Sequence, residues 1–371
     1  INADSINIYA TGDDAYKSYG AVLQGGGYLN LKAINNINLS GSGVGLRFNN
    51  EHTTFSTDGS VEYDKNVLGE AEVTSEKGSI FIEGREGYGL LSEIRQHQDS
   101  VKKAVVTADK DIEIKGKKSG VSYYAASRNL DVTSKHSNIQ ISSDNIGLSV
   151  GGSVSAIVNE NYLRGEANFD ASNGSIDIYG QKSGIVADNT AIKLKTSGPV
   201  KWGYLADVNI AAKNSVNIVG TDDYGIQAKN TLSNVGLNSS GLPEDAKNLN
   251  LNVTSQGSIN VLGGKAGIMA TAVKDEFDNK VLNTLSIDFG SKVNLTANGD
   301  IAVQGGYYGV IAFENSKVNI TSDNGNVLIG ATDTNTDKDT AAVYAENGAN
   351  TETMVNLKAD NGVVNVLSGN K

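Results

Sequence analysis

Short runs in which aliphatic and polar residues alternate recur along the whole chain, and most are closed by a glycine. Ser175-Ile176-Asp177-Ile178-Tyr179-Gly180, followed by Gly184-Ile185-Val186-Ala187, is one clear copy. The same pattern returns in Ser79-Ile80-Phe81-Ile82-Glu83-Gly84 with Gly89-Leu90, in Asp111-Ile112-Glu113-Ile114-Lys115-Gly116 with Gly120-Val121, and in Ser215-Val216-Asn217-Ile218-Val219-Gly220 with Gly225-Ile226. A period of two is that of a strand with one buried face, and the helical period is nearly absent. Taking the first aliphatic residue as anchor places copies at Ile6, Ile37, Ile80, Ile112, Ile139, Ile176, Val216, Ile259, Ile301, Val327 and Val364. A second strand-like run precedes nearly every anchor, as in Val293-Asn294-Leu295-Thr296-Ala297 and Val318-Asn319-Ile320-Thr321-Ser322. Each unit therefore predicts three short strands.

The anchors are spaced by 26 to 43 residues, and the shortest spacing fits one turn of a parallel β-helix. The expected fold is all-β: a right-handed parallel β-helix of about eleven three-stranded coils, spanning residues 1–371 as a single solenoid segment. At about 4.8 Å per coil the stack reaches roughly 50 Å. The extra residues of the longer units are assigned to the link between the Gly-aliphatic strand and the next Asn-rich strand, so that all insertions leave one corner. Outward positions should stack into columns. One column holds Asn30, Asn168, Asn209, Asn252, Asn294, Asn319 and Asn356, and another holds Asn7, Asn38, Asn217, Asn260 and Asn365. Amides stacked in this way hydrogen-bond along the axis. The corners are expected to need positive φ, which glycine adopts freely.

Composition fits such a chain, with 43 Gly and 42 Asn but only 2 Pro, a residue that removes a ladder donor wherever coils lie on both sides. A net charge of −11 repels a phosphate backbone and disfavours nucleic-acid binding. No Cys is present for a disulfide or thiolate metal site, and no run reaches the roughly 18 apolar residues of a membrane-spanning helix. The chain opens at Ile1 without a charged and apolar leader, so an export signal is expected outside this segment, which looks excised from something longer.

Candidate chemistry is sparse. Glu113 and Asp177 fall at the same outward position two coils apart, about 10 Å between backbones, near the upper end of the separation inverting glycosidases use. The competing reading is a pair of solvated charges. His52, His97 and His136 lie in separate units and form no metal or catalytic motif; no calcium-binding nonapeptide, nucleophile elbow or phosphate loop is found, so no catalytic residue, metal or cofactor is assigned. Tyr19, Tyr88, Tyr224 and Tyr308 each precede a corner glycine and are expected to stack into a partial aromatic column, a structural ladder or a contact surface. Trp202, with Tyr204 beside it, lies in an insertion, as a ligand contact or as a cap on the core. The stretch from Val101 to Lys135 carries a local positive excess through Lys102, Lys103, Lys115, Lys117 and Lys118, either a solvated face or a patch meeting an anionic glycan or surface.

Repeats such as Asn294-Leu295-Thr296-Ala297-Asn298-Gly299-Asp300-Ile301 and Val318-Asn319-Ile320-Thr321-Ser322-Asp323-Asn324-Gly325 resemble the passenger domains of bacterial autotransporter adhesins and the related haemagglutinin-like exoproteins, over the entire chain. The resemblance implies secretion through an outer-membrane β-barrel lying outside this segment, folding outside the cell, and display on the surface of a Gram-negative bacterium. It implies a non-catalytic adhesin whose partners are a host-cell receptor, a glycan or another bacterial surface; separately, the outward Asn and Tyr stripes leave open self-association between rods. The Gly-Asp-Ser-Gly protease motif that some passengers carry is missing. Fold alone does not choose among adhesin, polysaccharide-cleaving enzyme and passive spacer.

Overall fold

The computed structural model describes residues 1–12, 18–24, 27–49, 53–55, 61–63, 70–93, 103–124, 129–152, 164–193, 205–234, 248–275, 290–333, 339–347 and 352–368. Apart from a short antiparallel pair, Thr53–Phe55 with Val61–Tyr63, every described strand belongs to one of three parallel sheets of eleven, eleven and ten strands. Each coil visits the sheets in the same order; the sixth runs through Arg164–Ala171, Ile176–Gly180 and Ser183–Lys193. The chain is a right-handed parallel β-helix of eleven coils, the last contributing to two sheets. All eleven anchors stack in one unbroken register down the second sheet, from Ile6 against Ile37 to Val327 against Val364.

The anchors and the aliphatics two residues on fill a single core with inward positions of the other two sheets. Two coils admit a large ring beside small residues. The sixth coil buries Phe169 together with Ala167, Ala171, Ala187, Ile176, Ile178 and Ile185, while the fourth buries Tyr123 together with Ala104 and Ala108.

Where the residue before an anchor is Asn or Asp, its side chain has a backbone task. Asn36 Oδ1 accepts the Ser79 N–H at 2.9 Å, Asn138 Oδ1 that of Ser175 at 2.9 Å, and Asp300 Oδ1 that of Asn326 at 2.7 Å, so each side chain receives a donor of the following coil.

The role expected for the corner glycines needs correction. Gly89, Gly120, Gly147, Gly184, Gly225, Gly267 and Gly309 do not adopt positive φ; they stack in the third sheet, each close against the backbone of the next coil. A Cβ on Gly184 would lie 2.7 Å from the Gly225 carbonyl oxygen, and one on Gly225 would lie 2.7 Å from that of Gly267. Glycine is demanded by proximity to the next coil. Among the described residues the non-glycine ones with positive φ are Glu314 and Asn315, at 50° and 63°, in the short link from Tyr308–Phe313 to Lys317–Ser322.

The asparagine column of the first sheet forms a one-way ladder. Asn209, Asn252, Asn294, Asn319 and Asn356 each donate Nδ2 to Oδ1 of the preceding asparagine at 2.8 to 2.9 Å. The first amide, Asn168, donates to Asp131 at 2.9 Å. Asn30 stands apart, because Glu72 and Val105 occupy the intervening coils. In the second sheet Asn260 donates to Asn217 and Asn217 to Asp177, at 2.9 and 2.6 Å, while Asn38 pairs with Asn7 at 2.6 Å. Phe81, Glu113 and Gln140 separate these groups, and Ala302 and Leu328 isolate Asn365.

Both longer runs begin on a carboxylate, an acceptor that suits the end of a ladder but not its middle. Asn252→Asp, which loses the donor facing Asn209, is expected to cost about 1–3 kcal/mol. Asp131→Asn keeps an acceptor facing Asn168 and should shift stability by no more than about 0.5 kcal/mol. Equilibrium urea unfolding of the two variants checks the asymmetry; equal losses would contradict it.

Insertions do not all leave one corner. Most of the long links, among them 50–69, 94–102, 153–163, 194–204, 235–247 and 276–289, do run from the third sheet to the first. Two others, 11–18 and 332–340, join the second sheet to the third in the first and tenth coils. The anchor spacing is blind to this, because it sums all links of a coil.

Candidate functional site

Three consecutive strands of the third sheet outrun the others. Ser183–Lys193, Tyr224–Asn234 and Ala266–Asp275 stay paired past the normal turn, through Lys193 against Asn234 and Ser233 against Asp275. The facing strands Leu205–Ala212, Asn248–Ser255 and Gly290–Ala297 are also longer than the usual five or six residues. Coils six to nine thus widen at the corner from which 194–204, 235–247 and 276–289 depart.

Widening exposes backbone groups that need partners, and buried amides supply them. Asn189 Nδ2 donates to the Ala206 carbonyl at 3.0 Å while the Ala206 N–H donates to Asn189 Oδ1 at 3.2 Å, so one side chain clamps the next strand at both groups. One coil on, Asn230 Nδ2 donates to the Gly290 carbonyl at 3.0 Å. Buried Asp207 accepts the Asn250 N–H at 3.0 Å. Asp188 lies beside Asn189 with Oδ1 buried and lacking a hydrogen-bond partner, and its other oxygen is 3.8 Å from Lys229. Burial holds the Asp188 carboxyl above its ordinary range, against the opposing pull of Lys229.

These residues escaped the repeat pattern, which ends at the Gly-aliphatic pair. A signal existed: Asn189-Thr190 and Asn230-Thr231 both fall five residues after their glycines, Gly184 and Gly225.

The tyrosines do not form the expected column. Tyr19, Tyr88, Tyr224 and Tyr308 share one register, but Val44 separates the first two, Ala266 the last two, and Ser119, Ile146 and Ser183 the middle pair. The rings are at least two coils apart, about 9.6 Å, too far to stack. Tyr19 and Tyr308 take local partners. Arg47 Nη1 donates to the Tyr19 hydroxyl at 2.6 Å, and the guanidinium lies 5.2 Å from that ring's centre. Tyr308 instead meets Tyr344 at 6.0 Å, and Phe313 meets Tyr344 edge-on at 5.6 Å. Tyr344 donates its hydroxyl to Glu346 at 2.8 Å, and that bond and charge hold the phenol above its usual range. The sequence pattern missed this trio because the tenth coil has Ala342 where the Gly-aliphatic motif expects glycine.

The basic stretch is divided between faces. Lys103 begins a strand of the first sheet, whereas Lys115, Lys117 and Lys118 follow one another through the second sheet and its corner. Lys115 pairs with Glu113 and lies 5.6 Å from the centre of the Phe81 ring. Lys117 meets Glu86 of the preceding coil at 2.6 Å, which raises its pKa and keeps it charged. A count along the sequence misses Glu86, brought in by coil stacking. Lys102, Trp202, Tyr204, His52 and His97 lie outside the described residues.

Glu113 and Asp177 do flank Gln140 as expected. Each is engaged elsewhere, Glu113 by Lys115 and Asp177 by Asn217. His136 Nδ1 is 2.8 Å from Asp109. Among the described residues no group of three His, Asp or Glu converges to hold a metal, and no helix is long and apolar enough to cross a membrane. No known protein family, curated protein or solved structure matches the chain.

Proposed function

We propose that this chain is a segment of a secreted or cell-surface adhesin of a Gram-negative bacterium, attaching to host cells, glycans or other bacteria by repeated non-catalytic contact. The observation that carries this reading is the widened corner of coils six to nine, where three neighbouring strands extend together and their long links begin side by side. A solenoid fixes such links at intervals of about 4.8 Å, so weak contacts made by each add along one rigid edge. The amide ladders stiffen the support, and the family resemblance in the repeats supports export through a barrel outside this segment.

The test is attachment of fluorescently labelled protein to host cells and to bacteria, repeated with Trp202→Ala, which alters one of the three links, and with Tyr224→Ala on the strand that leads into the next. Saturable attachment weakened about threefold or more by these changes is expected, in line with the energetic weight of aromatic contacts. No attachment by protein with a β-sheet circular-dichroism spectrum would reject the adhesin reading in favour of a spacer.

A further inference from the structure

A groove of about 380 Å³ follows the second sheet and its corner over coils three to six. Two columns border it. The outermost residues of the second sheet give Glu83, Lys115, Ser142 and Tyr179 in successive coils. The corner gives Arg85, Lys117 and Asp144. From the third to the sixth coil the groove spans about 14 Å, along the axis rather than across it.

Its chemistry is unusual for this chain. Three cations, Arg85, Lys115 and Lys117, and two carboxylates, Glu83 and Asp144, line it, with Glu113 and Glu86 paired to the two lysines. The cations are positioned by neighbours. Arg85 Nη2 donates to the Ala10 carbonyl at 3.1 Å, one bond of the five a guanidinium can make. Lys115 and Lys117 hold exposed ion pairs with Glu113 and Glu86, contacts of small net worth that exchange readily for an incoming anion. At the far end Tyr179, 43% exposed, supplies a flat apolar face with a hydroxyl at its edge. No aliphatic side chain lines the groove.

We propose that this groove binds an acidic polysaccharide, its carboxylates or sulfates meeting Arg85, Lys115 and Lys117 and one sugar ring lying on Tyr179. The proposal rests on the adhesin reading and names its ligand class. An acidic peptide fits less well. The strands under the groove are paired on both sides, which closes the route of strand addition, and there is no apolar pocket for an anchoring side chain. A sugar chain needs charge, hydroxyl partners and a ring face, and the groove offers all three.

Isothermal titration of the folded protein with hyaluronan, heparin and cellohexaose oligosaccharides and with polyglutamate tests this directly. Hyaluronan or heparin is expected to bind with an affinity that falls as salt rises, and the stronger of the two identifies the acid group preferred. Arg85→Gln with Lys117→Gln should weaken binding at least about tenfold and Tyr179→Ala about fivefold, with Lys213→Gln, on another face, unchanged. Circular dichroism of each variant separates lost binding from lost folding. Failure of both acidic sugars to bind, equal binding of cellohexaose or polyglutamate, or indifference to the groove variants would overturn the proposal. Attachment to cells without acidic-sugar binding removes the groove and leaves the adhesin reading, whereas groove-dependent sugar binding without attachment to any cell does the reverse.

Discussion

Gly225→Val is expected to break the stacking of coil seven on coil eight. The Cβ alone would lie 2.7 Å from the Gly267 carbonyl oxygen, 2.6 Å from Val261 Cγ1 and 2.9 Å from the Leu262 carbonyl oxygen. Two of these are backbone atoms of paired strands, so relief requires separating the coils rather than turning a side chain. Overpacking of this kind typically costs about 1–3 kcal/mol, and the two added methyls of valine place it at the upper end or beyond. Ala342 supports the assignment. It is the one residue of the column with a side chain, and it stands in the last strand of the third sheet, with no further described strand stacked on it. Amide hydrogen exchange should show lost protection in Tyr224–Asn234 and Ala266–Asp275 first, because a solenoid couples mainly nearest neighbours. Gly225→Val with unchanged exchange there would contradict the close-approach account.

Phe169→Ala should cost about 3–5 kcal/mol, the range for removing a buried ring. Phe169 is 1% exposed and stacks between Val132 and Ile210. Its coil also buries Ala167, Ala171 and Ala187, which are too small to fill the space left behind. Phe169→Leu keeps most of the volume and is expected to cost less than about 1.5 kcal/mol. Pairing Phe169→Ala with Ala187→Leu should recover part of the loss, since Ala187 belongs to the same coil. Urea unfolding of the three proteins checks this; absence of any recovery would mean that volume is not shared within a coil.

The alternation of aliphatic and polar residues determined the strands, the eleven anchors and the parallel solenoid, because every coil must bury the same faces against its neighbours and so repeats one local rule. The glycine column was equally legible, though its reason was not: positive φ is a property of one residue, whereas the approach of Gly184 to Gly225 belongs to two coils separated by an insertion. Outward residues obey no such repeat. Whether Tyr308 meets another tyrosine of its column or Tyr344, and whether Lys117 stands free or meets Glu86, depends on which side chains successive coils bring together. Link lengths vary, so sequence distance does not measure that neighbourhood. The widened corner braced by Asn189 and Asn230, and the groove between Lys115, Lys117 and Tyr179, were decided by register across coils. Burial of apolar surface repeats and can be read along one strand; a surface site is assembled from several strands and exists only once they stack.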